Sequence, residues 1–127
     1  MSIIKFNPFA PSILVEVRIK KVNSVSLLMV LDTGASYTLI PWASAKVIGC
    51  RPEISKTKVR IITASGIEYV PAVKISTITA LGKSNNNFTA LCHDLPQETY
   101  VDGLLGLDFL RHFHLSIDFK KGILKLI

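Results

Sequence analysis

The chain has 127 residues, 49% of them hydrophobic, and 15 Lys and Arg against nine Asp and Glu give it a formal net charge of +6. That length suits one domain with a sizeable core, and its apolar stretches fall far short of the roughly 20 residues that a membrane-spanning helix requires. The basic residues are scattered and no aromatic RNA-binding motif accompanies them, so the charge reads as solvated strand faces rather than a nucleic-acid footprint.

The N-terminal stretch Met1-Ser2-Ile3-Ile4-Lys5-Phe6-Asn7-Pro8 has neither a charged n-region nor a continuous apolar h-region, which gives a cytoplasmic expectation. Residues 13–19 begin apolar and settle into alternation, the mark of a strand. Lys20-Lys21-Val22-Asn23 makes a polar turn and residues 24–31 return. Within them Leu27-Leu28-Met29-Val30-Leu31 is unbroken and reads as a strand buried on both faces. Thr38-Leu39-Ile40 is a short strand closed by Pro41, which suits a helix start. Residues 42–48 then form a short helix, with Trp42 packed on the core and Gly49 as its stop.

Residues 59–63 and 67–70 read as a hairpin with Ser65-Gly66 at its turn. Val73, Ile75 and Ile78 extend a strand to a second turn at 82–87, and residues 88–92 return. A loop over 93–100 leads to Gly103-Leu104-Leu105-Gly106, with the two leucines expected in the core. Residues 107–112 form a short helix, and the last two strands, 114–119 and 123–127, meet at Lys120-Lys121-Gly122. Strands spaced about eight to twelve residues apart point to a barrel or sandwich. Residues 1–127 are expected to form a single domain.

The chemistry concentrates where the apolar run meets an acid, in Asp32-Thr33-Gly34-Ala35-Ser36. A carboxylate delivered at the end of a buried strand needs a partner or a shifted pKa. Thr33 offers a hydroxyl, and Gly34 removes the Cβ that would obstruct a close approach. This motif, behind a strand and ahead of Leu39-Ile40-Pro41, resembles the active-site motif of aspartic proteases. The segment from Val101 to Leu110, with Leu104-Leu105-Gly106 running into a helix, resembles the hydrophobic-hydrophobic-Gly element near the end of each lobe of those enzymes. One Asp-Thr-Gly in a chain this short matches the retropepsin-like, single-lobe branch. The resemblance implies an all-β fold, a small closed acid-protease barrel with one or two short helices. It also implies an aspartic endopeptidase that hydrolyses peptide bonds in extended polypeptides as a homodimer.

Such chemistry needs two carboxylates close enough to share a proton, one activating water and the other donating to the scissile carbonyl. The pair titrates as a unit. Of the other aspartates, Asp94, Asp102, Asp108 and Asp118, none stands between an apolar strand and a Thr-Gly or Ser-Gly turn. The second acid is therefore assigned to Asp32 of an identical chain across a two-fold axis. The resemblance gives Asp32 as the catalytic residue and makes Thr33, Gly34 and Ala35 the support of its loop, Thr33 bracing the two loops across the dimer. It also places Ser36 and the hairpin residues Ala64, Ser65, Gly66 and Ile67 at the substrate, the hairpin as a flap that excludes water. The alternating ends, 3–6 and 123–127, suit an intersubunit sheet or ordinary edge strands.

The alternative is a catalytically silent, retropepsin-like dimeric module that binds peptides without cleaving them. No cofactor is called for. Cys92-His93 and His112 with His114 have poor spacing and context for a metal site. Cys50 and Cys92 lack a C-x-x-C arrangement and read as two reduced, partly buried thiols.

Overall fold

The computed structural model describes residues 2–127. A short strand, β1 (Ser2–Lys5), precedes a hairpin of β2 (Leu14–Lys20) and β3 (Ser24–Leu31). In β2, Val15, Val17 and Ile19 are buried while Glu16, Arg18 and Lys20 face water, as period-2 alternation requires. In β3, Leu27, Met29 and Leu31 are buried, but Leu28 is 43% exposed. The apolar run is thus fully covered on one face, while on the other Leu28 is exposed and Val30 half-buried, which corrects the two-face reading. Its outward leucine belongs to a barrel wall whose far side is open in a single chain.

The chain continues through β4 (Leu39–Ile40), α1 (Trp42–Val47), β5 (Lys58–Thr63), β6 (Gly66–Ala80) and β7 (Lys83–Cys92). It then forms β8 (Gly103–Leu105), α2 (Leu107–Leu110), β9 (Leu115–Asp118) and β10 (Ile123–Leu126). Neighbouring strands run in the order β2-β3-β8-β4-β7-β6, and β6 pairs back onto β2 from Val17↔Ala80 to Lys20↔Thr77. Six strands therefore close an all-β barrel, leaving β5 attached to β6 alone. Val17, Ile19, Met29, Ile40, Ile78, Leu105 and Phe109 fill its interior. Each such side chain contributes about 1.5–3 kcal/mol through burial.

Two turns lie elsewhere than the sequence suggests. Thr63 pairs with Gly66, so Ala64 and Ser65 make the hairpin turn and Gly66, at φ 120°, opens β6. A Cβ on Gly66 would meet nothing within 4 Å, so backbone conformation and not space asks for glycine there. The second turn is only Leu81-Gly82, both at positive φ, as in a type I′ hairpin. Asn85 and Asn86 belong to β7, whose polar stretch is held to β6 by cross-strand bonds such as Thr79–Ser84 (2.8 Å between hydroxyls). The helix expected over 107–112 is the shorter α2.

Both ends of the chain join a second sheet, ordered β1-β10-β9, with Leu124 and Leu126 buried. They pair with each other, Ser2↔Leu126 through Lys5↔Ile123, so β10 has both edges occupied and only the outer edge of β1 stays open on that side. Among the described residues, no helix is long and apolar enough to cross a membrane.

Cys50 and Cys92 are buried and free. Burial, with smaller contributions from Cys50 and Asp94, pushes the Cys92 thiol up to about 12. The reactive thiolate is therefore scarce well above neutral pH. Iodoacetamide at pH 9 is expected to leave Cys92 unmodified in native protein and to alkylate it after urea unfolding, read by mass spectrometry. Ready native-state labelling would show that the core opens there.

Candidate active site

The position of Asp32 follows from a pairing that crosses the chain. β3 and β8 are parallel, Met29↔Gly103 to Leu31↔Leu105, and the Asp32 N–H extends the pairing by donating to the Leu105 carbonyl (3.0 Å). The chain then turns sharply. The Gly34 N–H donates to Asp32 Oδ1 (2.8 Å), and the Ala35 N–H to the Asp32 carbonyl (3.2 Å). A Cβ on Gly34 would stand 3.2 Å from that carboxylate oxygen, so glycine leaves the acid uncrowded. Asp32 is partly exposed, and its Oδ2 takes no hydrogen bond from the described residues. Thr33 is exposed.

The loop is fastened from behind by residues that the sequence did not single out as site residues. Thr38 is fully buried and donates its N–H to Asp108 Oδ2 (2.9 Å) and its hydroxyl to Asp108 Oδ1 (2.6 Å). The Gly106 N–H donates to Thr38 Oγ1 (3.1 Å), and the Leu107 N–H to the Ala35 carbonyl (2.8 Å). A Cβ on Gly106 would lie 2.6 Å from the Tyr37 carbonyl oxygen and 2.8 Å from that of Ala35; one on Gly103 would overlap the Leu39 carbonyl. The two glycines of Gly103-Leu104-Leu105-Gly106 let two backbones cross in contact. Their spacing was the available clue. Leu105 is core, whereas Leu104 is half-buried and faces a cleft.

That cleft, of about 770 Å³, lies between the loop after β3 and the β5–β6 hairpin. It brings Gly34, Ala35 and Ser36 together with Ala64 and Ser65. Gly66 and Ile67 do not line it; Ile67 sits opposite Ile62 on the hairpin and is 57% exposed. Asp32 instead borders an adjoining cleft of about 390 Å³, walled by the segment from Phe6 to Ile13 and by Phe119.

The other aspartates are bound into the fold. Asp94 accepts from the Trp42 N–H (2.9 Å), Asp102 from the Leu28 N–H (2.7 Å), and Asp118 from the Lys121 N–H (3.0 Å). Asp108 holds Thr38 and also accepts from the Phe109 N–H (2.9 Å). Asp108 uses both of its oxygens, and the other three use one each.

Residues 18–112 match the family described as "gag-polyprotein putative aspartyl protease". The fold is similar to the crystal structure of a retropepsin-like aspartic protease from Rickettsia conorii, with a TM-score of 0.73 and 24% sequence identity over 98% of this chain and 87% of that one. No match is found among curated proteins.

Proposed function

This chain belongs to the gag-polyprotein aspartyl protease family, and from that premise we propose that it is an aspartic endopeptidase whose active site is shared by two copies. The observation that carries this reading is the place of Asp32. It leaves the barrel wall at the end of β3 in a tight turn whose own Gly34 N–H is its carboxylate's one partner among the described residues. By contrast, Asp94, Asp102 and Asp108 each tie together segments distant in the chain, and Asp118 closes the turn before β10. One such acid cannot both deprotonate water and protonate the carbonyl, so the chemistry calls for a second from a symmetric partner. In that arrangement one Asp32 takes a proton from water as it attacks the scissile carbonyl carbon. The other donates a proton to the carbonyl oxygen. The resulting tetrahedral species collapses as the C–N bond breaks and the nitrogen is protonated. Thr33 and Gly34 hold the two loops, Ser36 borders the substrate, and the hairpin carrying Ala64 and Ser65 covers it.

Mixing subunits tests the shared site. With threefold excess of Asp32→Asn chains exchanging freely, about one dimer in sixteen is fully wild type, and cleavage per wild-type chain should drop to about a quarter. Dilution of wild type through its dissociation range should lower activity with the square of concentration. Activity linear in wild-type chain under both treatments would rule out a composite site.

A further inference from the structure

We propose that Glu68 makes the larger cleft selective for extended peptides bearing a lysine or arginine side chain. This rests on the substrate reading above and names a specificity-determining residue for it. Glu68 stands on β6 opposite Ile61, and both line the cleft. Of the carboxylates there, Asp94 is already engaged by the Trp42 N–H at the start of α1. Glu68 takes no hydrogen bond from the described residues, and its side chain is 46% exposed. The chain's other acids without such bonds, Glu16 and Glu98, lie outside this cleft.

The neighbours of Glu68 suit a basic visitor. The one cationic partner within reach is His93 Nε2, 3.7 Å from Glu68 Oε2, and an imidazole carries charge only when protonated. At 3.7 Å that contact is no hydrogen bond, so the acceptor positions of the Glu68 carboxylate stay open. Arg60 also borders the cleft, but it belongs to the other face of β5, opposite Tyr69. Leu39, Ile61, Leu95 and Leu104 supply apolar wall on which the aliphatic stem of lysine or arginine can lie while its charged head reaches the acid. A charge-assisted bond in a partly shielded cleft is stronger than an exposed surface pair.

The test uses blocked decapeptides that differ at one position at a time in lysine, glutamine or glutamate. They are read as kcat/KM on the active protein and as Kd on the Asp32→Asn protein, which keeps the cleft. At one position lysine should be favoured over glutamine by about five- to tenfold. Glu68→Gln should bring that lysine-to-glutamine ratio to about one, and Glu68→Lys should transfer the preference to glutamate. A lysine preference that survives Glu68→Gln overturns the assignment. Should the active protein cleave nothing while Kd still favours lysine through Glu68, the proteolytic reading fails and the assignment stands. If no peptide binds, or none is discriminated, the assignment is overturned.

Discussion

Asparagine at position 32 should lower kcat/KM for peptide cleavage by at least about a thousandfold, the scale expected for losing a positioned general acid–base group. The substitution is nearly isosteric, and an amide oxygen can still accept the Gly34 N–H that now reaches Asp32 Oδ1 at 2.8 Å. It cannot take a proton from water, and in a symmetric dimer one mutation removes both members of the pair. On the shared-pair reading, the loss should appear at every pH tested rather than as a displaced optimum. Folding should change by less than about 1 kcal/mol, since the one hydrogen bond the carboxylate makes is retained. A fluorogenic peptide assayed from acidic to neutral pH, with a urea melt alongside, measures both. Residual cleavage within tenfold of wild type would remove Asp32 from the mechanism.

Alanine at position 108 should destabilise the protein by about 3 kcal/mol and abolish cleavage without touching substrate. Asp108 accepts from the Thr38 N–H, the Thr38 hydroxyl and the Phe109 N–H. Removing it strands the polar groups of a fully buried threonine, a loss that costs about 1–3 kcal/mol for each unsatisfied group. Thr38 Oγ1 also accepts the Gly106 N–H, so the crossing of the two loops loosens with it. Asp108→Asn should fall between alanine and wild type: its amide oxygen can serve Thr38 Oγ1, but its NH₂ then faces the Thr38 N–H, donor against donor. Urea denaturation gives the stability, and the same peptide assay gives the activity. An alanine variant as stable and active as wild type would reduce the network to decoration.

The contrast between these two aspartates shows what was legible in the sequence. Asp32 announced itself locally, because an apolar strand running into Asp-Thr-Gly is contiguous text. Asp108 enters the sequence reading only as a second acid to be set aside, and nothing local marks its structural role, since its partner Thr38 lies 70 positions away. They meet because β8 pairs with both β3 and β4. The strands followed from alternation and from turn residues, yet the turns themselves shifted. Asn85 and Asn86 look like loop until their register against Thr77 and Ile78 is known. Leu28 and Leu104 looked like core because hydropathy cannot distinguish an interior face from one left open toward a cleft or another chain.

β6 belongs to two bodies at once. Through Gly66–Pro71 it has β5 as its neighbour; from Ala72 onward β7 takes over, and β2 joins along its last four residues. Its near half is clamped in a closed wall and its far half overhangs like a diving board. The neighbours change at Pro71, which brings no amide hydrogen to the ladder, and Val70 beside it is buried against Leu39, Ala72 and Leu91. A tip that bent beyond that anchor would keep Ile61 opposite Glu68 and would not slide along its own length. Closing over a peptide would alter the depth of the trough while its alignment stayed fixed by the barrel.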